Sequence, residues 1–235
     1  MVPSRISSGC SGPFRRRDRH DDLDPLASVL QYWRTLGFRW LALPDATRQR
    51  EQQLRELQAT VQRCRLCPLH SNRRQAVLGV GDPWSPILFV GEGPGAQEDI
   101  EGQPFVGAAG QLLTKALWMV GIDRRRVYIA NVVKCRPPEN RTPRPSEMNA
   151  CFPYLRRQIE ILRPALLVPM GNPAMSMILG RTGIQQWRGQ WFQKNGVWVV
   201  PIYHPAYVLR NPEALPLLLN DLRQIAEVAR HFGWL

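Results

Sequence analysis

Residues 86–95 read PILFVGEGPG, an apolar run that ends in a turn containing three glycines. This pattern predicts a buried strand that leads into a tight turn. After the turn we expect a loop, AQEDIEGQPFVG, before the next helix begins. Residues 107–122, GAAGQLLTKALWMVGI, predict that helix, which ends at Gly121.

The alternation of strand and helix continues toward the C-terminus. The further predicted strands are VYIANVVKC (127–135), ALLVPMG (165–171) and VWVVPIYHP (197–205). The further predicted helices cover residues 46–63, 146–164, 172–180 and 212–232. Strands that alternate with helices form parallel sheets covered on both faces. The sequence therefore predicts an α/β fold, a three-layer α/β/α arrangement around a central four-stranded parallel sheet.

Charge and length limit the classes of protein that fit. The 235 residues include 31 basic and 19 acidic side chains, a net charge of +12. Such a surface favours a polyanionic partner, most simply nucleic acid, although a genome rich in arginine codons would also produce it. No apolar run reaches the roughly 20 residues that span a membrane, and the basic N-terminal residues lack the apolar region of a secretory signal. We therefore expect a cytoplasmic protein that does not contact membranes.

The chain is expected to divide into two parts of unequal size. Residues 1–45 form an N-terminal extension, a basic disordered arm followed by a peripheral apolar helix at residues 26–43. Residues 46–235 form one domain, since this length supports a single core and not comfortably two.

Four of the five cysteines form two pairs. Cys64 and Cys67 are separated by two residues, and Cys135 and Cys151 by fifteen. In a reducing compartment, clustered cysteines indicate a metal more often than disulfides. The spacing predicts one four-sulfur metal site but does not choose iron–sulfur over zinc. Cys10 is expected to be a free thiol.

Polar side chains follow the predicted strands. Glu92 lies in the turn after the first strand, Asn131 lies in the second, and His204 ends the fourth. In parallel sheets, ligands bind at the carboxyl ends of the strands, so these groups are expected to share one cleft. Each also has an ordinary structural explanation: a turn, a loop cap, or a hydrogen-bonded core histidine.

Three blocks of sequence resemble the family 4 uracil-DNA glycosylases, the iron–sulfur type of bacteria and archaea. They are GEGPGAQEDIEGQPFVGAAGQLL (91–113), YIANVVKCRPPENRTP (128–143) and HPAYVLRNP (204–212). The resemblance covers about residues 50–232 and implies a uracil-DNA glycosylase-like fold. It also implies a [4Fe–4S] cluster with a structural role, bound by Cys64, Cys67, Cys135 and Cys151.

The resemblance implies a uracil pocket as well. Its residues would be Gly91, Glu92, Gly93, Glu98, Phe105, Asn131 and His204. Phe105 would stack on the flipped base, Asn131 would read the O4 and N3 edge, and His204 would face O2. His204 is the expected catalytic residue. Glu92 is assigned with it, as a candidate general base, and Glu98 is a second candidate base.

The same resemblance places residues on DNA. The loop after His204 would enter the minor groove, and the loop after Cys135 would contact phosphates. The expected DNA contacts are Arg136, Arg141, Tyr207, Leu209 and Arg210.

The predicted activity is hydrolysis of the N-glycosidic bond of uracil flipped out of single- or double-stranded DNA, starting base-excision repair. The enzyme is expected to act as a monomer. The alternative is a non-catalytic iron–sulfur DNA-binding protein. Relatives that become trapped covalently on DNA carry a histidine in a loop that here reads RPPENRTPRP, without histidine.

Overall fold

The computed structural model describes residues 44–235, with side chains from residue 48 onward. The predicted basic arm, the helix predicted at residues 26–43 and Cys10 lie outside the described residues. The strands are β1 (Gly79–Gly81), β2 (Ile87–Gly91), β3 (Tyr128–Asn131), β4 (Leu166–Pro169), β5 (Phe192–Lys194) and β6 (Val197–Val199). The helices are α1 (Pro44–Gln62), α2 (Ala96–Glu101), α3 (Ala108–Met119), α4 (Pro145–Leu162), α5 (Gly171–Leu179), α6 (Ile184–Trp187), α7 (Pro205–Arg210) and α8 (Leu215–His231).

The strands form one mixed sheet in the order β1–β3–β2–β4–β6–β5. The four inner strands, β3, β2, β4 and β6, are parallel to one another. The edge strands β1 and β5 are antiparallel to β3 and β6. The prediction of an α/β fold is confirmed. The prediction of four strands missed the two edge strands, β1 and β5. The described sheet has six strands.

Strand β2 shows how the layers arise. All five of its residues are buried, and successive side chains point to opposite faces of the sheet. Ile87 and Phe89 pack in one apolar cluster with side chains of α3 and α8. Leu88 and Val90 pack in a second cluster with side chains of α1 and α4. A strand that is apolar on both faces therefore requires a helical layer on each side, as the sequence predicted.

The structure corrects three boundaries near the strand ends. The segment expected to be a loop after the glycine turn contains helix α2, whose N-cap is Gly95. Strand β6 ends at Val199, although Ile202 still forms an isolated bridge with Met170. His204 therefore does not end a strand; it is the N-cap of α7.

Residues 45–235 group into one compact unit. Within the part of the chain that the structure describes, no helix has the length and apolar character needed to cross a membrane.

Candidate active site

A pocket of about 520 Å³ opens where β2 and β3 end and α7 begins. Six of the seven residues predicted to bind uracil line it: Glu92, Gly93, Glu98, Phe105, Asn131 and His204. Gly91, the seventh, lies directly behind the pocket. A Cβ atom at this position would contact the Asn131 amide oxygen and the Phe105 ring, so only glycine leaves room for both side chains. The residues predicted from three separate stretches of sequence are thus brought together.

Asn131 is the last residue of β3, and only 1% of its surface is exposed. Its Oδ1 atom is buried and has no hydrogen-bond partner among the described residues. Buried polar atoms are nearly always hydrogen-bonded, and leaving one unpaired costs about 1–3 kcal/mol. An unpaired acceptor at the wall of a pocket fits a ligand that brings its own N–H donor.

The imidazole of His204 has a defined proton position. Its Nδ1 atom accepts a hydrogen bond from the backbone N–H of Ala206 at 3.1 Å, so the proton of the neutral ring lies on Nε2. Burial lowers the pKa of His204 to about 4, the positive charge of Arg210 adds to this effect, and Glu98 opposes it. The ring is therefore a neutral hydrogen-bond donor at physiological pH. Its centroid lies 5.5 Å from that of Phe105.

Phe105 has an unusual backbone conformation for a non-glycine residue, with φ at +56°. Glu98 holds the segment on one side, because its carboxylate accepts hydrogen bonds from the backbone of Val106 and Gly107, each at 2.9 Å. Arg124 holds the other side by donating to the Pro104 carbonyl at 2.8 Å. A strained residue needs such over-determined surroundings, so these contacts fix the aromatic ring in the pocket.

Glu98 itself has few free lone pairs. Besides the two bonds to the Phe105 segment, it accepts from the backbone N–H of Gly95 at 3.1 Å. The carboxylate thus ties the glycine turn to the Phe105 segment. This arrangement favours a structural task for Glu98, the second candidate base, over proton transfer.

Glu92 lies in the pocket and is partly buried. Burial raises the pKa of its carboxyl, while a hydrogen bond with Thr142 and the charge of Arg210 lower it. Thr142 belongs to the loop between Cys135 and α4. The loop that carries one cysteine therefore also contacts the acid in the pocket.

Three of the five residues predicted to contact DNA line the pocket, and two lie outside its lining. Arg141, Tyr207 and Arg210 line the pocket. Leu209 is exposed on α7, and Arg136 donates to Asn140 at 2.8 Å within its own loop.

Arg141 also forms an ion pair that the sequence did not indicate. Its guanidinium donates to both carboxylate oxygens of Glu147, at 2.7 and 2.9 Å. Glu147 is buried, and the hydrogen bond from Arg141 lowers its pKa. Glu147 also accepts from the backbone N–H of Arg144 at 2.7 Å, and so anchors the loop to the start of α4.

Four thiols line one cavity between α1, the end of β3 and α4: Cys64, Cys67, Cys135 and Cys151. All four are free thiols. Burial raises the pKa of Cys67 and Cys135, and raises that of Cys151 to about 12. Buried thiols with raised pKa values deprotonate when a bound metal stabilises the thiolate.

Several sulfur atoms already accept hydrogen bonds. Arg73 donates to Cys135 Sγ at 3.0 Å, and the backbone N–H of Lys134 donates to Cys151 Sγ at 3.3 Å. Hydrogen bonds to sulfur are typical of cysteines that ligate iron–sulfur clusters. Among the described residues, however, no three His, Cys, Asp or Glu side chains form a group that could hold a metal ion as they stand.

Lys134 is a site residue that the sequence analysis missed. It lies between Asn131 and Cys135 and is completely buried. Burial lowers its pKa to about 8, and the charges of Cys151 and Cys135 oppose this. A lysine inside the apolar run VYIANVVKC is the signal that could have identified it.

Comparisons with known proteins show which family the chain resembles. The family model of the uracil DNA glycosylase superfamily matches residues 78–228. A type-4 uracil-DNA glycosylase of Thermotoga maritima is 46% identical over 181 residues, which cover 75% of this chain and 90% of the relative. The type-4 enzymes of Sulfurisphaera tokodaii and Archaeoglobus fulgidus are 43% and 44% identical. Those matches cover 75% and 70% of this chain, and 84% and 87% of the relatives.

Proposed function

The chain belongs to the type-4 uracil-DNA glycosylases of the uracil-DNA glycosylase superfamily, and we propose how its own residues carry out that reaction. It hydrolyses the N-glycosidic bond between uracil and deoxyribose in DNA, the step that starts base-excision repair. The observation that carries the site assignment is that Asn131, a residue lining the pocket, has a buried Oδ1 without a hydrogen-bond partner among the described residues.

Asn131 selects the base by its hydrogen-bonding pattern. The Oδ1 atom accepts from N3–H of uracil, and the amide N–H₂ group donates to O4. Cytosine presents an acceptor at N3 and a donor at N4, which leaves both groups of a buried amide unpaired. A site built to bond one edge rejects the wrong edge strongly, because its own polar groups lose their partners.

The base must leave the helical stack before it reaches this pocket. Extrusion costs a few kcal/mol. Stacking on the fixed ring of Phe105 returns roughly 1–3 kcal/mol. The rigid hold of Glu98 and Arg124 on the Phe105 segment supports this assignment, because a ring already in place loses little entropy when the base arrives.

His204 stabilises the leaving group. When the bond between C1′ and N1 breaks, the electron pair goes to uracil, and negative charge develops on O2. The Nε2–H of a neutral His204 donates to that oxygen, which is electrostatic catalysis of the oxyanion-hole kind. Water adds its hydroxyl to C1′ and loses a proton, for which Glu92 is the candidate acceptor. Leaving-group stabilisation carries more of the rate than base catalysis.

The DNA is held by the loop and helix around the pocket. Arg210 and Tyr207 line the pocket, and the exposed apolar side chain of Leu209 suits insertion between bases. Arg136 and Arg141 contribute positive charge from the neighbouring loop. We propose that single- and double-stranded uracil DNA are both substrates, and that the protein acts as a monomer.

We propose that Cys64, Cys67, Cys135 and Cys151 hold a [4Fe–4S] cluster. The donor set of four thiols around one cavity and the hydrogen bonds to sulfur support this assignment. The cluster would supply a structural brace and no step of the reaction. Zinc is the alternative occupant of four thiolates. A reducing compartment such as the cytoplasm suits the free thiols.

The direct test uses oligonucleotides with one uracil, single- and double-stranded, incubated with the purified protein. The expected result is free uracil and an abasic site that alkali cleaves. Matched oligonucleotides with thymine or cytosine at that position should stay intact. Binding to uracil DNA without release of the base would favour the alternative, a non-catalytic iron–sulfur DNA-binding protein.

Gly91→Ala should displace the side chains of Asn131 and Phe105 in the pocket. The added Cβ would lie 2.5 Å from Phe105 Cζ and would contact Asn131 Oδ1, so both side chains must move. We expect the rate of uracil release to fall by about 100-fold, because small displacements of positioning groups have effects of this size. Overpacking should lower the free energy of unfolding by about 1–3 kcal/mol.

The rate follows from single-turnover kinetics and the stability from thermal unfolding. Gly107→Ala is the matched control, since its Cβ would come no closer than 3.4 Å to a neighbour. A wild-type rate for Gly91→Ala would refute the packing of Gly91 against the base-reading residues.

A further inference from the structure

Among the ion pairs of the described residues, the pair of Arg188 and Asp221 is the most deeply buried. Arg188 directly follows α6 and is 16% exposed, and Asp221 lies in α8 and is 2% exposed. The guanidinium donates to both carboxylate oxygens and also to the carbonyl oxygen of Leu217 at 2.8 Å. A bidentate pair of this kind is directional, so it fixes the orientation of the guanidinium plane.

This guanidinium contacts an aromatic pair that reaches the pocket. Its central carbon lies 5.3 Å from the centroid of the Tyr203 ring, and the centroids of the Tyr203 and Tyr207 rings lie 4.9 Å apart. Tyr203 is buried, whereas Tyr207 lines the pocket from α7. A guanidinium attracts an aromatic ring at such a distance, and two tilted rings attract each other. A continuous row of contacts therefore runs from Asp221 in α8 to Tyr207 in the pocket.

The backbone after Arg188 is bonded to the segment that leads to this aromatic pair. The N–H of Gly189 donates to the carbonyl oxygen of Pro201 at 2.8 Å, two residues before Tyr203. Gly189 has φ at +71°, and a Cβ atom at this position would lie 2.6 Å from Asp221 Oδ1. Glycine at this position therefore lets the backbone bond and the ion pair exist together.

Helix α7 has only six residues, and a helix this short depends on contacts with its neighbours for its position. The histidine at its start has support of its own. The N–H of Gly171 donates to the carbonyl oxygen of Ile202 at 2.9 Å, and a Cβ atom at Gly171 would lie 3.1 Å from His204 Cβ. Tyr207 lies about one turn further along and packs on the Tyr203 ring. Loss of that ring contact should therefore move Tyr207 more than His204.

We propose that Arg188 is a positioning residue that sets the place of Tyr207 and, through it, the binding of DNA by α7. Asp221 orients the guanidinium, the guanidinium supports the Tyr203 ring, and that ring supports Tyr207. This inference rests on the proposed function, because it requires that α7 contacts DNA beside the uracil. It predicts that a change at Arg188 weakens DNA binding more than it slows cleavage of the glycosidic bond.

Arg188→Lys is the first test, because it keeps the positive charge and removes the planar group that bonds both carboxylate oxygens. The measurement is single-turnover release of uracil from a double-stranded oligonucleotide, over a range of enzyme concentrations at about pH 8. The Asp221 carboxyl is ionised at this pH, since burial raises its pKa to about 6 and Arg188 opposes the rise. We expect the enzyme concentration at half-maximal rate to rise by about 10-fold, and the maximal rate to change by less than about 3-fold.

This split separates positioning from a loss of folded protein. Circular dichroism gives the folded fraction of each variant, and the enzyme concentrations are corrected for it. Arg181→Lys is the matched control, because the central carbon of this guanidinium lies 4.2 Å from the ring centroid of Trp187, which is not among the residues that line the pocket. The control should keep the half-maximal concentration of the wild type.

Two variants of Tyr203 test the route from the ion pair to α7. Tyr203→Phe keeps the ring and should behave like the wild type. Tyr203→Leu removes the ring and should raise the half-maximal concentration as Arg188→Lys does. The double variant with Arg188→Lys should be no worse than the more affected single variant, because the two residues act through one contact. Fully additive effects would overturn this route.

Tyr207→Ala separates the inference from the proposed function, because it removes the predicted DNA contact itself. If it raises the half-maximal concentration and Arg188→Lys does not, the role of Arg188 is wrong and the contact of α7 with DNA stands. If Tyr207→Ala has no effect, the DNA contact is wrong and the role of Arg188 falls with it, while uracil release still tests the glycosylase activity. If Arg188→Lys does not fold, Tyr203→Leu decides by the same concentration.

Discussion

His204→Ala should lower the single-turnover rate of uracil release by about 10²–10³-fold, the usual effect of removing one donor to a developing oxyanion. The neutral ring carries its proton on Nε2, because Nδ1 accepts the bond from Ala206. Alanine removes that donor and also the cap of α7. Loss of a cap costs about 1 kcal/mol, so the thermal midpoint should fall slightly.

His204→Asn separates the loss of the hydrogen-bond donor from the loss of the helix cap. Its side-chain oxygen can keep the cap of α7, so stability should return while the rate stays low. A wild-type rate for His204→Ala would exclude this histidine as the group that stabilises the leaving base.

The pH dependence of the rate of uracil release follows from the lowered pKa of His204. The folded pKa of about 4 lies below the ordinary value, so His204 stays neutral as the pH falls from 8 to 5.5. Its contribution to the rate should be flat over this range and fall only toward pH 4, where protonation of Nδ1 removes the cap. A loss of rate as the pH rises through about 6.5, absent from His204→Asn, would indicate a protonated His204 and contradict a neutral donor.

Cys135→Ser has the second large expected effect. Cys135 lies four residues after the end of β3, whereas Cys151 lies in α4, so the proposed metal centre would hold the intervening loop at both ends. Binding of a structural metal contributes directly to folding free energy. We expect the variant to lose iron and sulfide, and its thermal midpoint to fall by at least about 10 °C.

The measurements are iron and sulfide content after anaerobic purification, and thermal unfolding. Cys10→Ser is the matched control and should change neither, since Cys10 belongs to neither cysteine pair. A Cys135→Ser protein with full iron content would remove this residue from the ligand set. A colourless wild-type protein that contains stoichiometric zinc would show that the four cysteines bind zinc and not an iron–sulfur cluster.

Three polar residues of the pocket could be predicted because they lie in or follow apolar strands, which the sequence marks clearly, whereas Glu98 and Phe105 were assigned through the family resemblance. Asn131 and Glu92 come from two such strands, and the carboxyl ends of parallel strands meet at one edge. His204 was predicted from a strand that ends earlier than expected. It still reaches the pocket, because the extended chain beyond β6 keeps its direction as far as the bridge at Ile202.

The edge strands could not be predicted in the same way. β1 has three residues, two of them glycine, and none is fully buried, so no alternation of apolar and polar residues marks it. Its pairing depends on β3, which supplies the partner. Helix α2 has six residues and was hidden by the glycines on either side, although Glu98 provides a recognisable cap for its first turn.

Polar contacts that depend on tertiary packing were the other limit. The pairing of Arg141 with Glu147 and the three hydrogen bonds of the Lys134 ammonium group depend on how loop, strand and helix pack. Arg141 was predicted as a phosphate contact from its place in a basic loop. The ion pair adds a role in holding that loop, and the contact with phosphate stays a prediction.

The selection of uracil by Asn131 is the central claim, and one variant tests it most directly. Asn131→Asp keeps the shape of the side chain, but its carboxylate presents no donor to O4 of uracil. The measurement is the ratio of single-turnover rates on matched oligonucleotides with uracil or cytosine at one position. We predict that the uracil rate falls by at least about 100-fold and that the ratio falls with it. An unchanged uracil rate, with an unchanged ratio, would show that another group reads the base.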